Sequence, residues 1–201
     1  MKSHYLYVTI RKSFQTLSEL ITMKPFKVPT AAAPVALPYR PSVGIMLINA
    51  DGKVWTGRRT PKWMGAGAAP IWQMPQGGIL KFESPRAAAV RELAEETGIR
   101  SAQIIGEIPR CVTYDLPPEL LGVALKGRYR GQRQWWFAMR FTGKDSDISI
   151  TAKPGTKAEF DDWAWRSIDE LPALVTPFKR GMYETVIGEF RHLAQPVASS
   201  A

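Results

Sequence analysis

The sequence predicts a mixed α+β fold. Three observations predict it. Short apolar runs bounded by turn residues read as hairpin strands; two later segments carry helical spacing with recognisable starts; and the two kinds of element are interspersed rather than arranged as a simple βαβ array. The 201 residues, 45% of them hydrophobic, suit one domain with a proper core.

The elements follow in order. Ordered structure is expected from "YRPSVGIMLIN", where Val43 to Ile48 is an apolar run of strand length. "ADG" at 50–52 is a turn signal, and "KVWTGRR" is the returning arm of a hairpin. Residues 60–71 form a loop rich in Gly and Pro, "WQMP" resumes extended chain, and Pro75 with the following "QGG" breaks it. Ser84 and Pro85 are a helix start, cap and first helical position, for "RAAAVRELAEET", and Gly98 stops that helix. "AQIIGEIP", "QRQWWFAMRF" and "EFDDWAWRSI" read as strands. Residues 176–193 have helical periodicity, with Thr176 as cap and Pro177 behind it.

The ends read differently. Residues 1–38 hold a single acid, Glu19, followed by an Ala/Pro stretch of linker composition. Such a segment is a flexible tail, a targeting segment, or chain read through from a start codon upstream of Met23; the first is the reading adopted, and residues 194–201 are expected to be a second tail around a domain at 39–193. A bacterial-like cytoplasmic location is expected, with organelle targeting by the tail as the lesser alternative. No apolar run approaches the length of a membrane span, so no membrane is expected. The net charge of +9 favours polyanionic partners. The lone Cys111 excludes an internal disulfide and any cysteine-built zinc site, and reads as a small buried apolar group.

"RELAEETGI" (91–99) poses an electrostatic question. Glu92, Glu95 and Glu96 share one helical face, where like charges repel by a few tenths of a kcal/mol. A divalent cation removes that repulsion: hard carboxylate oxygens suit Mg²⁺ or Mn²⁺, and Mg²⁺ is commonly held by a few carboxylates with substrate phosphates. A solvated acidic face is the alternative, but the context argues against it. Gly77 is followed by five residues, Glu83, seven more, Arg91-Glu92-Leu93, one residue, Glu95-Glu96, one residue, and Gly98-Ile99. This pattern resembles the Nudix box at every fixed position, a match expected by chance on the order of one in ten million. The resemblance implies the Nudix fold, a mixed sheet sandwiched between helices, and metal-dependent hydrolysis of a nucleoside diphosphate linked to another group. It makes Glu92 and Glu96 the principal metal ligands, the Gly77 carbonyl an extra one, and Glu95 a further ligand or a proton acceptor. Glu83 and Arg91 are implied to hold loop and helix together, Gly98 to end the helix, and Leu93 and Ile99 to seat it in the core.

The flanks narrow the family. "PQGGI" before the box and "FKR" after it, with "YRPSVGIMLIN", "TYDLP", "GQRQWWF" and "EFDDWAW", resemble the RNA pyrophosphohydrolase branch, which includes invasion-associated dinucleoside polyphosphate hydrolases. The likeness runs from about Tyr39 to Phe190. It implies that Glu159 returns to the metal site as ligand or base, that Arg40, Arg59 and Lys179 contact phosphate, and that Phe178, with Tyr114 as a weaker candidate, lies against a base. Each also has a bland reading: a surface acid for Glu159, helix-packing core for Phe178. Lys126, Arg128, Arg130 and Arg133, interleaved with aromatics, form a candidate patch for RNA beyond its 5′ end, or are solvated loop charges. The expected partner is therefore an RNA 5′ end or a dinucleoside polyphosphate, not DNA, with oligomeric state open. Three functions stand: conversion of 5′-triphosphate RNA to 5′-monophosphate RNA, asymmetric cleavage of diadenosine tetra- or pentaphosphate, and a silent Nudix module that binds RNA or protein. His4 and His192 lie too near the ends to suggest a histidine base.

Overall fold

A computed structural model describes residues 37–59, 70–151 and 157–197. Most of the expected N-terminal tail, most of the 60–71 loop and part of the lysine-bearing excursion before Glu159 lie outside these residues.

Two long strands form the spine. β1 (Tyr39–Ile48) and β7 (Gly131–Phe141) run parallel in unbroken register from Tyr39↔Gly131 to Ile48↔Arg140. Each has different neighbours at its two ends. Beside β1, β4 (Gln76–Gly78) pairs with the first half through Val43↔Gly77, and β2 (Val54–Arg59) pairs at the far end through Ile48↔Val54. Beside β7, β6 (Val112–Asp115) pairs with the first half and β5 (Ala102–Glu107) with the second. β3 (Ile71–Gln73) and β8 (Asp162–Arg166) add antiparallel pairs to β2. The result is an eight-stranded mixed sheet that splays around the first halves of its two central strands.

Both faces are covered, which explains why β1 reads as a continuous apolar run rather than an alternating one. Val43, Ile45 and Leu47 point to the face covered by α1 (Pro85–Thr97), meeting Ala88, Ala89 and Leu93. Met46 and Ile48 point the other way, with Trp136 and Ala138, towards α3 (Arg180–Phe190) and its Met182, Tyr183, Val186 and Phe190. A one-turn helix, α2 (Leu171–Leu174), adds Leu171 to that second layer. Leu93 and Ile99 are buried as expected.

Helix α1 begins and ends as its sequence dictates. The Ala87 N–H donates to Ser84 Oγ at 3.2 Å, Pro85 is the first helical residue, and Gly98 takes the left-handed conformation at φ 73°.

Five local expectations are corrected. The "QGG" segment is a strand: without a side chain at 77 and 78, β4 can lie edge-on to β1 directly under α1. The helix expected at 176–193 is divided into a 3-10 turn at Pro177–Lys179, α3, and a second 3-10 turn at Arg191–Leu193. Thr176 precedes the first turn, but its hydroxyl caps nothing and is buried without a protein partner. At the C-terminus, Ala194–Val197 is not a free tail; it folds over the β1–β2 turn, where the Val197 N–H donates to Ala50 O at 2.8 Å. Cys111 is half-buried rather than buried.

Candidate active site

The box helix answers its own charge crowding with one arginine. Arg91 donates from Nε and Nη2 to the two oxygens of Glu83 (2.7 and 2.8 Å), from Nη2 to the Gly78 carbonyl (2.8 Å), and from Nη1 to Glu92 (2.8 Å) and Glu95 (3.0 Å). The Leu80 N–H also donates to Glu83. Bidentate, charge-assisted bonds of this kind hold direction as well as distance. The guanidinium, with the Leu80 N–H, holds the Glu83 carboxyl down at about 2. The loop 78–83 is thereby locked to the second turn of α1.

The three glutamates of the box take different environments. Glu95 is half exposed and faces an outer groove along α1, with Arg86, Val90 and Arg100. Glu92 lies so close over Gly77 that any β-carbon there would sit within its carboxylate. Glu96 turns inward, and the Gln76 N–H donates to its Oε2 at 3.1 Å. Burial raises the Glu96 carboxyl well above the ordinary range, and the negative charges of Glu159 and Glu92 raise it further. Burial also raises Glu92, against the pull of Arg91. Among the described residues no three acidic, histidine or cysteine side chains are grouped to hold a metal ion, and Glu92 and Glu95 are both bonded to Arg91. The donor chemistry nevertheless suits a divalent cation. It is all oxygen, and the half-buried Glu96 carboxyl faces the like charges of Glu159 and Glu92, which the charge of Arg59 offsets only in part.

Next to this wall, the splayed part of the sheet opens into a cleft of about 290 Å³. It is lined by Arg40, Arg59, Tyr114, Glu159, Phe178 and Lys179, so all the expected phosphate-side and base-side residues meet, from both ends of the chain. Arg40 lies against the backbone of Gly78. Arg59 and Glu159 form an ion pair. The rings of Tyr114 and Phe178 meet at 5.7 Å, tilted by 40°, and Lys179 Nζ sits 5.2 Å from the Tyr114 ring centroid. Phe178 packs on the core and also lines the cleft. Lys179 is a buried cation. Burial, with repulsion from Arg59, brings its ammonium down to about 7, against the attraction of Glu159 and Glu96.

Of the candidate basic patch, Arg130 is committed to Asp115 at 2.7 Å, while Arg128 and Arg133 lie over Tyr129 and Trp135. The cleft floor also holds residues that sequence reasoning missed: Gln73, Gln76, Gln132 and Thr176, with Gln134 beneath them. The available signal was "QRQWWF", in which Gln132 and Gln134 stand at alternate positions and so share a strand face with the apolar Trp136 and Ala138.

Comparison with known proteins agrees with this arrangement. The family model described as the Nudix domain matches residues 38–186. The chain belongs to the Nudix family. Two curated Nudix-sized relatives are near in sequence. An RNA pyrophosphohydrolase from Mesorhizobium japonicum is 54% identical over 162 residues, covering 79% of this chain and 94% of the relative. One from Brucella abortus is 53% identical over 177 residues, covering 86% and 99%. Among solved structures, the E. coli dihydroneopterin triphosphate pyrophosphohydrolase superposes with a TM-score of 0.55 at 19% identity, covering 76% of this chain and 99% of that one. A MutT protein from Methanosarcina mazei gives 0.51 at 20%, covering 77% and 97%. These two establish the Nudix fold alone. No helix among the described residues is long and apolar enough to cross a membrane.

Proposed function

We propose that this Nudix protein is a metal-dependent RNA pyrophosphohydrolase of the bacterial cytoplasm, converting 5′-triphosphate RNA ends to 5′-monophosphate ends. The observation that carries the reading is the cleft: three basic residues, Arg40, Arg59 and Lys179, line it together with the aromatic rings of Tyr114 and Phe178 and the acid Glu159, while Glu96 is held just behind it by the main-chain N–H of Gln76. That is a site for a polyphosphate with a nucleoside attached. The relatives named RNA pyrophosphohydrolases support RNA as the attached chain.

Glu92, Glu96 and the Gly77 carbonyl would hold Mg²⁺, or Mn²⁺ in its place. When bound, such an ion neutralises phosphate oxygens and makes a coordinated water easier to deprotonate. The remaining work falls to the protein. Arg40 and Arg59 orient the polyphosphate, Phe178 and Tyr114 flank the base, and the buried wall limits water to the attacking one. Of the two candidate bases, Glu159 is favoured by position, since it lines the cleft while Glu95 faces the outer groove. In the reaction water oxygen bonds to phosphorus, a P–O–P bridge breaks, and pyrophosphate or phosphate leaves. Binding of the substrate phosphates to Arg59 would release Glu159 from its ion pair.

The test is product analysis with 5′-triphosphorylated RNA and Mg²⁺, beside diadenosine tetraphosphate. The expected result is 5′-monophosphate RNA, abolished by EDTA, with kcat/KM for RNA above that for the dinucleotide. A higher value for the dinucleotide would transfer the assignment to that substrate, and no phosphate release from either would leave a binding module.

A further inference from the structure

Beneath the cleft runs a chain of buried amides. Gln134, wholly buried on β7, donates from Nε2 to Gln132 Oε1 and to Gln76 Oε1, both at 2.9 Å. Gln132 Oε1 also accepts from the Tyr114 hydroxyl at 2.9 Å. Gln76 Nε2 continues to Gln73 Oε1 at 3.1 Å, and the main-chain N–H of Gln76 is the donor to Glu96. One amide thus joins Tyr114 on β6 to the backbone that holds the inward-turned Glu96 of α1.

Such a network is costly in a core. A buried polar group without a partner costs about 1–3 kcal/mol, and this chain leaves Gln134 Oε1 and Gln73 Nε2 without protein partners. Apolar side chains on the same strands would fill the space with no such penalty, as Trp136 and Ala138 do two and four residues further along the same face. Gln134 itself does not line the cleft, so contact with substrate does not explain it.

We propose that Gln134 is a positioning residue: by fixing Gln76 on β4 it sets where the Glu96 carboxylate stands, and by fixing Gln132 it sets the Tyr114 hydroxyl, so that the nucleotide wall and the acidic wall of the cleft keep one spacing. The inference rests on the metal-dependent reading above and adds to it a residue that touches neither metal nor substrate. Glu96 is reached only through backbone, and loosening β4 leaves its carboxylate free to swing. Groups that orient metal ligands typically contribute 10–100-fold to metal affinity.

The test compares wild type, Gln134→Met, Glu96→Gln and the double variant by Mn²⁺ titration followed by EPR, with kcat and KM on 5′-triphosphorylated RNA and melting by circular dichroism. Methionine keeps the length of the side chain and removes both donors. The expected result is a folded Gln134→Met protein whose Mn²⁺ affinity is reduced by about 10-fold or more, whose kcat falls more than its KM rises, and whose effect on Mn²⁺ shrinks to under about twofold in the Glu96→Gln background. Wild-type Mn²⁺ affinity in Gln134→Met, or an equal loss with and without Glu96, overturns the proposal; a structural role alone would shift melting and leave both readouts in place. If Gln134→Met does not fold, Gln76→Met tests the same link, since it retains the main-chain N–H on a half-buried residue. Wild type that binds Mn²⁺ but leaves RNA intact removes the RNA assignment and not this one. Wild type that binds no Mn²⁺ removes both.

Discussion

Replacing Gly77 by alanine separates chemistry from stability at one atom. Gly77 sits in β4 opposite Val43, outside the left-handed region, so alanine can adopt its backbone. The new methyl would fall within the carboxylate of Glu92. A carboxylate at the end of a flexible side chain gives way more readily than backbone, so Glu92 is displaced and the strand is not. The displacement breaks its 2.8 Å bond from Arg91 Nη1. A hydrogen bond to a charged group contributes about 1.5–3 kcal/mol, while alanine recovers about 0.4–1 kcal/mol by restricting the unfolded chain. The net cost is on the order of 1–2 kcal/mol, and Tm should fall by roughly 2–8 °C at about 2–4 °C per kcal/mol. Activity should suffer far more: a shift of about 1 Å in a positioned group can cost on the order of 10²-fold. The assay is kcat/KM on 5′-triphosphorylated RNA with melting by circular dichroism, in wild type and in a Glu92→Gln background, where the alanine should add little. Activity within about threefold of wild type would refute the placement of Glu92 on Gly77, and unfolding would refute the flexibility assigned to it.

Three further outcomes are expected. Glu96→Gln should lower turnover by orders of magnitude while leaving circular dichroism and melting near wild type; near-normal turnover would remove Glu96 from the site. Tyr183→Phe should destabilise the protein by about 1–3 kcal/mol in urea unfolding, because the buried Met74 N–H loses its acceptor at 2.9 Å while ring packing on Trp136 is kept; an unchanged midpoint would contradict that bond. In metal-free protein, Lys179 titrates near 7 when folded and at its ordinary 10.5 when unfolded, so between these values the unfolded chain holds the extra proton and stability rises with pH, by up to about 1.4 kcal/mol per unit. Lys179→Met should flatten the wild-type urea profile between pH 7 and 10, and an identical slope in both proteins would show that this lysine is not buried as described.

Much of this molecule is written locally. The cap at Ser84, the stop at Gly98 and the spacing of Arg91 to Glu95 all follow from contacts three to four residues apart or from the conformational range of single residues, and each was legible without coordinates. The family match at 38–186 repeats what the box already said. Where local rules misled, a distant contact had won. "QGG" looks like a chain break until β1 offers an edge to pair with and Glu92 occupies the space above it. Thr176 has the composition of a cap, but its hydroxyl is buried and makes no capping bond. Ala194–Val197 has tail composition, but a backbone bond to Ala50 holds it.

The sequence by itself determined the box helix, its glutamates and the continuous apolar run of the strand buried between two layers, because such patterns along a chain are set by helix and strand geometry and by which faces are covered. Only the tertiary structure decided which glutamate turns inward, that Arg59 meets Glu159 across 100 residues, and that Gln134 reaches Gln76 across 58. The reason is physical: direction of a side chain and closure of a cleft depend on how the sheet splays and what packs against it, and those are properties of all its strands together.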